Sequence, residues 1–242
     1  MTEEELMDLS SAMRKVILQG LRWGGMEYED FVRSLMRALN YEVPLHDQRA
    51  LIMSSEIRNL ISIINTAPKP GNLRKEVGDI IRDLLRSVNV NIGYLVDNLG
   101  LPEIYGIMRI AQRSNRNVNL VVIKALINPK GNTMEFKEAL NEDTMPKVAE
   151  DYGLQLVRGQ DKAVHEVFSE YMDVNKLITE MKNKLLLNIA KIIKSDMERG
   201  LRILIIADHG YDIECLSGLC RLCHGSQCRR LIFSSILPII II

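Results

Sequence analysis

The chain has 242 residues, room for one large domain or for an α/β core with a small companion. Hydrophobic residues make up 47% and charged residues 26%, which excludes a disordered chain; 31 basic against 31 acidic residues exclude a globally basic nucleic-acid footprint, though not a local one. Aromatics, at 5%, are too few for a stacking platform for single-stranded nucleic acid, so Ile, Leu, Val and Met must fill the core.

In chain order, Leu6, Leu9, Met13, Val16, Ile17 and Leu21 recur at helical spacing and predict a helix over residues 3–21, ended by Trp23-Gly24-Gly25. Phe31, Leu35, Met36 and Leu39 mark a second helix, and Pro44 a break. Leu51, Ile52, Ile57, Leu60 and Ile64 predict a third over 49–64. Ala67-Pro68-Lys69-Pro70-Gly71-Asn72 is the clearest loop, and a helix resumes over 73–87. Residues 1–88 therefore read as a helical N-terminal region.

After residue 88 the rhythm changes. Ile92-Gly93-Tyr94-Leu95-Val96 reads as a strand ending at Asp97, followed by a helix at about 101–113. A second strand is expected at Val118-Asn119-Leu120-Val121-Val122-Ile123, then a loop with Pro129, Gly131 and Asn132, then a helix over 134–141. A short strand fits residues 154–157. Residues 163–199 carry a long helical pattern with a break near Asp173 and a stripe through Leu177, Met181, Leu185, Ile189, Ile192 and Ile193. A third strong strand covers 201–207 and ends at Asp208; the Ile-rich tail at 236–242 is the last strand. This grammar predicts an α/β fold, a mostly parallel sheet with helices on both faces, in residues 89–242, with a Cys-rich loop at 215–228. Residues 1–10 are acidic and polar, unlike a secretory leader, and no segment reaches the roughly 20 apolar residues that span a bilayer. A cytoplasmic protein without a membrane partner is the expectation.

In open α/β sheets ligands bind outside the carboxyl ends of the strands. Asp97 and Asp208 each stand directly after an apolar strand, so both reach one edge if those strands are parallel. Ile205-Ile206-Ala207-Asp208-His209-Gly210-Tyr211-Asp212 is the sharpest signal: a carboxylate and an imidazole side by side past a buried strand. Such donors suit zinc or manganese. His224, in Cys223-His224-Gly225, is a further ligand candidate from a chain with four histidines. The plainer alternative has Asp208 capping a turn and His209 packing. Asp212 reads as a turn or capping residue.

All four cysteines lie in Cys215-x4-Cys220-x2-Cys223-x4-Cys228. A structural zinc on the four thiolates would stiffen the loop carrying His224. The alternatives are disulfides, which fit an archaeal or thermophilic source, and free thiols. Arg221, Arg229 and Arg230 beside the cluster also admit a zinc-containing nucleic-acid-binding module.

The order of these residues resembles the alkaline phosphatase superfamily, and within it the PglZ-like proteins, over roughly residues 90–242. Asp97 in Leu95-Val96-Asp97-Asn98 looks like the first metal Asp. Asp208-His209-Gly210-Tyr211 looks like the Asp-His-Gly block. His224-Gly225, followed by Leu231-Ile232-Phe233 and Leu237-Pro238-Ile239, resembles the closing His and terminal strand. Thr133 in Gly131-Asn132-Thr133-Met134 stands in the nucleophile position, with a helix N-cap as its alternative reading. Asp173 in Tyr171-Met172-Asp173-Val174 looks like the middle metal Asp. The family often has a His close behind it, where this chain has Leu177 four residues on; His165 is either its substitute or a helix-surface histidine. The resemblance implies a metal-dependent phosphatase or phosphodiesterase acting on a phosphate ester, with one or two zinc or manganese ions. One ion would sit on Asp97, Asp208 and His209, the second near Asp173 and His224. It also implies a link to defence against mobile DNA. Leu177 admits the alternative of a catalytically degenerate partner protein in a larger assembly, with residues 1–88 as its docking surface.

Overall fold

The computed structural model describes residues 3–67 and 76–242. The helical stripes of the first part become α1 (Glu3–Leu21), α2 (Tyr28–Ala38), α3 (Arg49–Thr66) and α4 (Glu76–Ser87). The loop expected at 67–72 lies, beyond Ala67, outside the described residues. The second part runs β1 (Ile92–Val96), α5 (Leu101–Arg113), β2 (Val122–Ile127), α6 (Thr133–Leu140), α7 (Met145–Asp151), β3 (Gln155–Val157), α8 (Gln160–Glu166), β4 (Met172–Asp173), α9 (Val174–Met181), α10 (Leu187–Glu198), β5 (Ile203–Ala207), β6 (Asp212–Leu216), β7 (Leu219–Cys223) and β8 (Ile236–Ile241).

The main sheet has the order β2-β8-β5-β1-β3. Strand β1 pairs in parallel with β3 and β5, whereas β8 pairs antiparallel with β5 and β2. The sheet is therefore mixed, where the pattern predicted a mostly parallel one. The reason is the route of the tail. Gly210 N donates to Ser234 O (3.4 Å) and Asn128 N donates to Ser235 O (2.8 Å), so β8 starts beside the carboxyl ends of β5 and β2 and must run back. Antiparallel pairing needs no crossover helix, and none intervenes.

Both faces of this sheet are apolar because its strands alternate between two cores. Ile203, Ile205 and Ala207 face a core shared with Leu9, Met13, Val16 and Ile17 of α1, Phe31 of α2, Ile57 of α3 and Tyr105 of α5. Leu204 and Ile206 face the other, with Val77 and Ile81 of α4, Phe136 of α6 and Val148 of α7. The Phe31 and Tyr105 rings stack at 4.0 Å, so the N-terminal helices share the core of the sheet.

Three local differences from expectation have physical causes. Val118–Leu120 is a 3-10 turn, because the Asn117 side chain accepts from Asn119 N (3.1 Å) and β2 starts only at Val122. The long helical pattern is divided by β4 and by a π-helical turn at Lys182–Leu186. The Cys-rich stretch contains a hairpin, β6–β7, rather than a loop throughout. Its two-residue turn, Ser217-Gly218, has φ of 52° and 81°, the left-handed pair that tight hairpins require. With β4 this hairpin forms a second, three-stranded antiparallel sheet.

Candidate metal centre

The register of β1 and β5 pairs Val96 with Ala207, so the next residues, Asp97 and Asp208, leave the sheet at one height on its carboxyl edge. Asp208 is fully buried. Its Oδ1 accepts from the backbone N of Asn98 and of His209, both at 3.0 Å, while its Oδ2 accepts no hydrogen bond from the described residues. His209, also fully buried, has Nδ1 2.8 Å from Gly210 O. A carbonyl only accepts, so Nδ1 carries a proton, which leaves Nε2 as the atom that can offer a lone pair to a metal. That Nε2 points into the cluster, 3.4 Å from Asp208 Oδ2. Gly210 makes the turn possible, since a Cβ there would stand 2.5 Å from Phe233 O.

Thr133 enters from β2's side of the sheet. Its Oγ1 donates to Asp97 Oδ1 (3.2 Å) and lies 3.3 Å from His209 Nε2. The cap of α6 is Asn132, whose side chain accepts from Glu135 N (3.0 Å), so capping does not occupy the Thr133 hydroxyl. Asn128 ties this loop to the sheet by donating to Asp208 O and to Asn132 O, both at 2.9 Å.

A second cluster adjoins the first. Asp161 and His165 stand one turn apart on α8, with His165 Nε2 3.4 Å from Asp161 Oδ2. His224, directly after β7, has Nε2 3.2 Å from Asp161 Oδ1 and 2.9 Å from His165 Nε2. Gln227 Nε2 lies 3.3 Å from His165 Nδ1. The His209 and His224 rings stack at 4.6 Å and join the two clusters. Two groups of donor atoms lie within 4.8 Å of one another: Asp97, Asp208 and His209; and Asp161, His209 and His224.

The electrostatics fit a cation. Among the described residues no lysine or arginine pairs with Asp97, Asp161 or Asp208; imidazoles face Asp161 and Asp208, and the Thr133 hydroxyl faces Asp97. Burial pushes the Asp97 carboxyl up to about 7, with the Asp208 and Asp161 carboxylates adding to the effect. For Asp161 burial also acts upward, but His224 and His165 outweigh it and hold the group below its ordinary value. A buried carboxylate oxygen without a donor, and two imidazole Nε2 atoms facing each other, are seats for a divalent ion.

Asp97, Thr133, Asp208, His209 and His224 thus converge, with His165 beside them. Asp173 does not belong to either group. It is exposed and caps α9, accepting from Asn175 N (2.8 Å) and Lys176 N (3.2 Å), and Leu177 is buried in the core. The residue missed in the sequence is Asp161. Its signal is the four-residue spacing Asp161-x-x-x-His165, one helical turn, which the apolar stripe masks because its pattern begins only at residue 163. The four cysteines do not form a zinc site; they pair as disulfides Cys215–Cys220 and Cys223–Cys228, and disulfide sulfurs offer no thiolate. Asp212 is more than a turn residue. Buried, it accepts from the backbone N of Ile232, Phe233 and Ser234 and from Ser234 Oγ, anchoring the chain ahead of β8.

Compared with protein families, with curated proteins and with solved structures, the chain matches none of them. Two Asp/His clusters able to hold metal ions, on an α/β core with a helical N-terminal region, define what the fold and site establish. Among the described residues no helix is long and apolar enough to cross a membrane.

Proposed function

We propose that the chain is a metal-dependent phosphatase or phosphodiesterase with the core of the alkaline phosphatase superfamily, PglZ-like in type, with Thr133 as nucleophile. The observation that carries this reading is the place of the Thr133 hydroxyl, within reach of both Asp97 and His209 while Asn132 takes over the capping of α6. Asp97, Asp208 and His209 would hold one ion; Asp161, His165 and His224 would hold the other, with zinc or manganese the fitting choice for oxygen and imidazole donors. When bound, such ions neutralise phosphoryl oxygens and favour the ionised form of a hydroxyl.

The chain's own residues do the rest. Asp97 Oδ1 is the atom placed to take the Thr133 proton. Thr133 Oγ1 then attacks phosphorus, and the ester P–O bond breaks with departure of the alcohol. Water cleaves the resulting phosphothreonine and restores the hydroxyl. Thr133 is the first residue of α6, where backbone N–H groups favour an anion. The reading of a degenerate, non-catalytic partner rested on Leu177 in place of a metal His, and Asp161 with His165 removes that reason. A role in defence against mobile DNA rests on the PglZ resemblance.

The test uses zinc- or manganese-loaded protein with nitrophenyl mono- and diesters of phosphate. Thr133→Ala is expected to lower turnover by on the order of 10³-fold or more while leaving metal content unchanged. Full activity in that variant removes the nucleophile assignment. A wild-type protein that binds both ions yet hydrolyses neither ester class refutes the reaction class.

A further inference from the structure

The arginines beside the cysteines have separate fates. Arg221 is committed: its Nη2 lies 3.0 Å from Glu214 Oε2, and its guanidinium stands 5.1 Å over the Tyr171 ring. Arg229 and Arg230 are exposed, and among the described residues their guanidinium groups have no hydrogen-bond or ion-pair partner. A second pair approaches from the helical region. Among the described residues the Arg37 guanidinium, in the last turn of α2, has no partner, and that of Arg58 of α3 reaches the Arg37 carbonyl alone, at 3.5 Å.

These four groups surround three adjoining cavities that share Asn40. One, of 540 Å³, is lined by Arg37 and Arg58 with Tyr41; the next, of 350 Å³, by Arg229 and Arg230 with Tyr41 again; the third, of 400 Å³, by Arg230 with Asn65. The acids in the groove are mostly satisfied already. Asp212 accepts from three backbone N–H groups, and Glu214 faces Arg221 and accepts from Arg229 N. Glu42 is the exposed acid among the lining residues, so the free side chains carry an excess of positive charge.

We propose that this groove binds the phosphate backbone of a nucleic-acid strand. Four guanidinium groups distributed over three connected cavities suit a chain of phosphates better than a single one. Asn40 and Asn65 add amide donors and acceptors. The one lining ring, Tyr41, is held by its hydroxyl, which donates to Ile213 O (3.2 Å), so recognition falls on phosphates and not on stacked bases. No lining residue belongs to the metal centre, so the proposal stands apart from the proposed hydrolase activity.

The experiment is fluorescence anisotropy of the full chain, in chelator, with a labelled single strand of about 12 nucleotides, a length within the range such grooves occupy. The expected slope of log affinity against log salt is about −2.8, from four neutralised phosphates at ~0.7 each. Arg37→Glu with Arg58→Glu, and separately Arg229→Glu with Arg230→Glu, are each expected to weaken binding ~10-fold or more and to halve the slope. Lys191→Glu, on the exposed side of α10, is the control and leaves affinity unchanged. Unchanged zinc uptake in the reversed variants shows that they fold. Absence of saturable binding at low salt, or equal loss from Lys191→Glu, overturns the proposal. So does a result in which ATP binds and responds to the reversals while the strand does not, since the ligand is then a free polyphosphate.

Discussion

The two halves of the candidate metal centre are built differently. Asp97, Asp208 and His209 leave the ends of neighbouring parallel strands, and Asp208 and His209 are fully buried. Asp161 and His165 ride on a seven-residue helix, and His224 sits in a loop; His165 is exposed. Strand register fixes the first set, because pairing Val96 with Ala207 leaves the next side chains little choice. The second set has a looser frame: Asp161 lies past the short β3, and His224 follows Cys223, which pairs with Asp212. The Cys223–Cys228 bond closes a short ring containing both His224 and Gln227, which touch His165 alongside Asp161. The sheet supplies a rigid half of the centre, and a covalently closed loop supplies the other.

The contrast can be broken by removing one imidazole from each half. His209→Ala is expected to lower affinity at both seats, since its ring adjoins both, whereas His224→Ala spares the strand-end seat. Each loss should exceed the roughly 100-fold that an outer partner of a ligand can cause, and isothermal titration with zinc reads the two steps. Equal loss at both steps from His224→Ala removes the distinction between the halves.

Replacing Cys223 and Cys228 together by Ser, or reducing the wild type with a dithiol, tests the clasp. Affinity at the second step should fall by about 10- to 100-fold, with the first step unchanged and melting followed in parallel. An unaltered second step shows that the loop holds His224 without the bond.

Support beneath the strand-end half sharpens the comparison further. Glu103, at the start of α5, is buried and accepts from Tyr28 OH (2.8 Å) and Tyr211 OH (2.6 Å), tying the chain after β5 to the chain after β1. Burial raises its carboxyl from 4.5 to about 7, against the opposing hydrogen bonds from Tyr211 and Tyr28. A group that binds its proton more tightly when folded stabilises the fold at low pH and loses that contribution as pH rises from about 4.5 to about 7. The loss is on the order of 3 kcal/mol at most. Glu103→Gln should flatten this part of the stability profile, measured by urea unfolding across that pH range; an identical profile contradicts the assignment.

The smallest effect is expected at Asp173. Asp173→Ala removes a helix cap and should cost about 1 kcal/mol of stability, with both zinc-binding steps unchanged. A lost ion there would reinstate it as a ligand.

Much of the strand-end half was legible in the sequence, because an apolar run stopped by Asp marks both a buried strand and a candidate ligand at once. The loop half was not. Asp161 stands four residues past the short β3, not directly after an apolar run, and only its four-residue spacing from His165 marks it. The hairpin escaped because four close cysteines suggest a metal knuckle more strongly than Ser217-Gly218 suggests a turn. The direction of β8 was illegible, since a run of isoleucines has no alternation to orient it. The arginine groove joins residues 37 and 58 to residues 229 and 230, and only the folded chain brings them together.

The most direct measurement of the central claim is anomalous diffraction from crystals of the full chain grown with zinc and, in parallel, with manganese. Two peaks are expected, one bounded by Asp97, Asp208 and His209 and the other by Asp161, His165 and His224. Ions bound at the cysteines or Asp173 with none between the strand ends and α8 would contradict it.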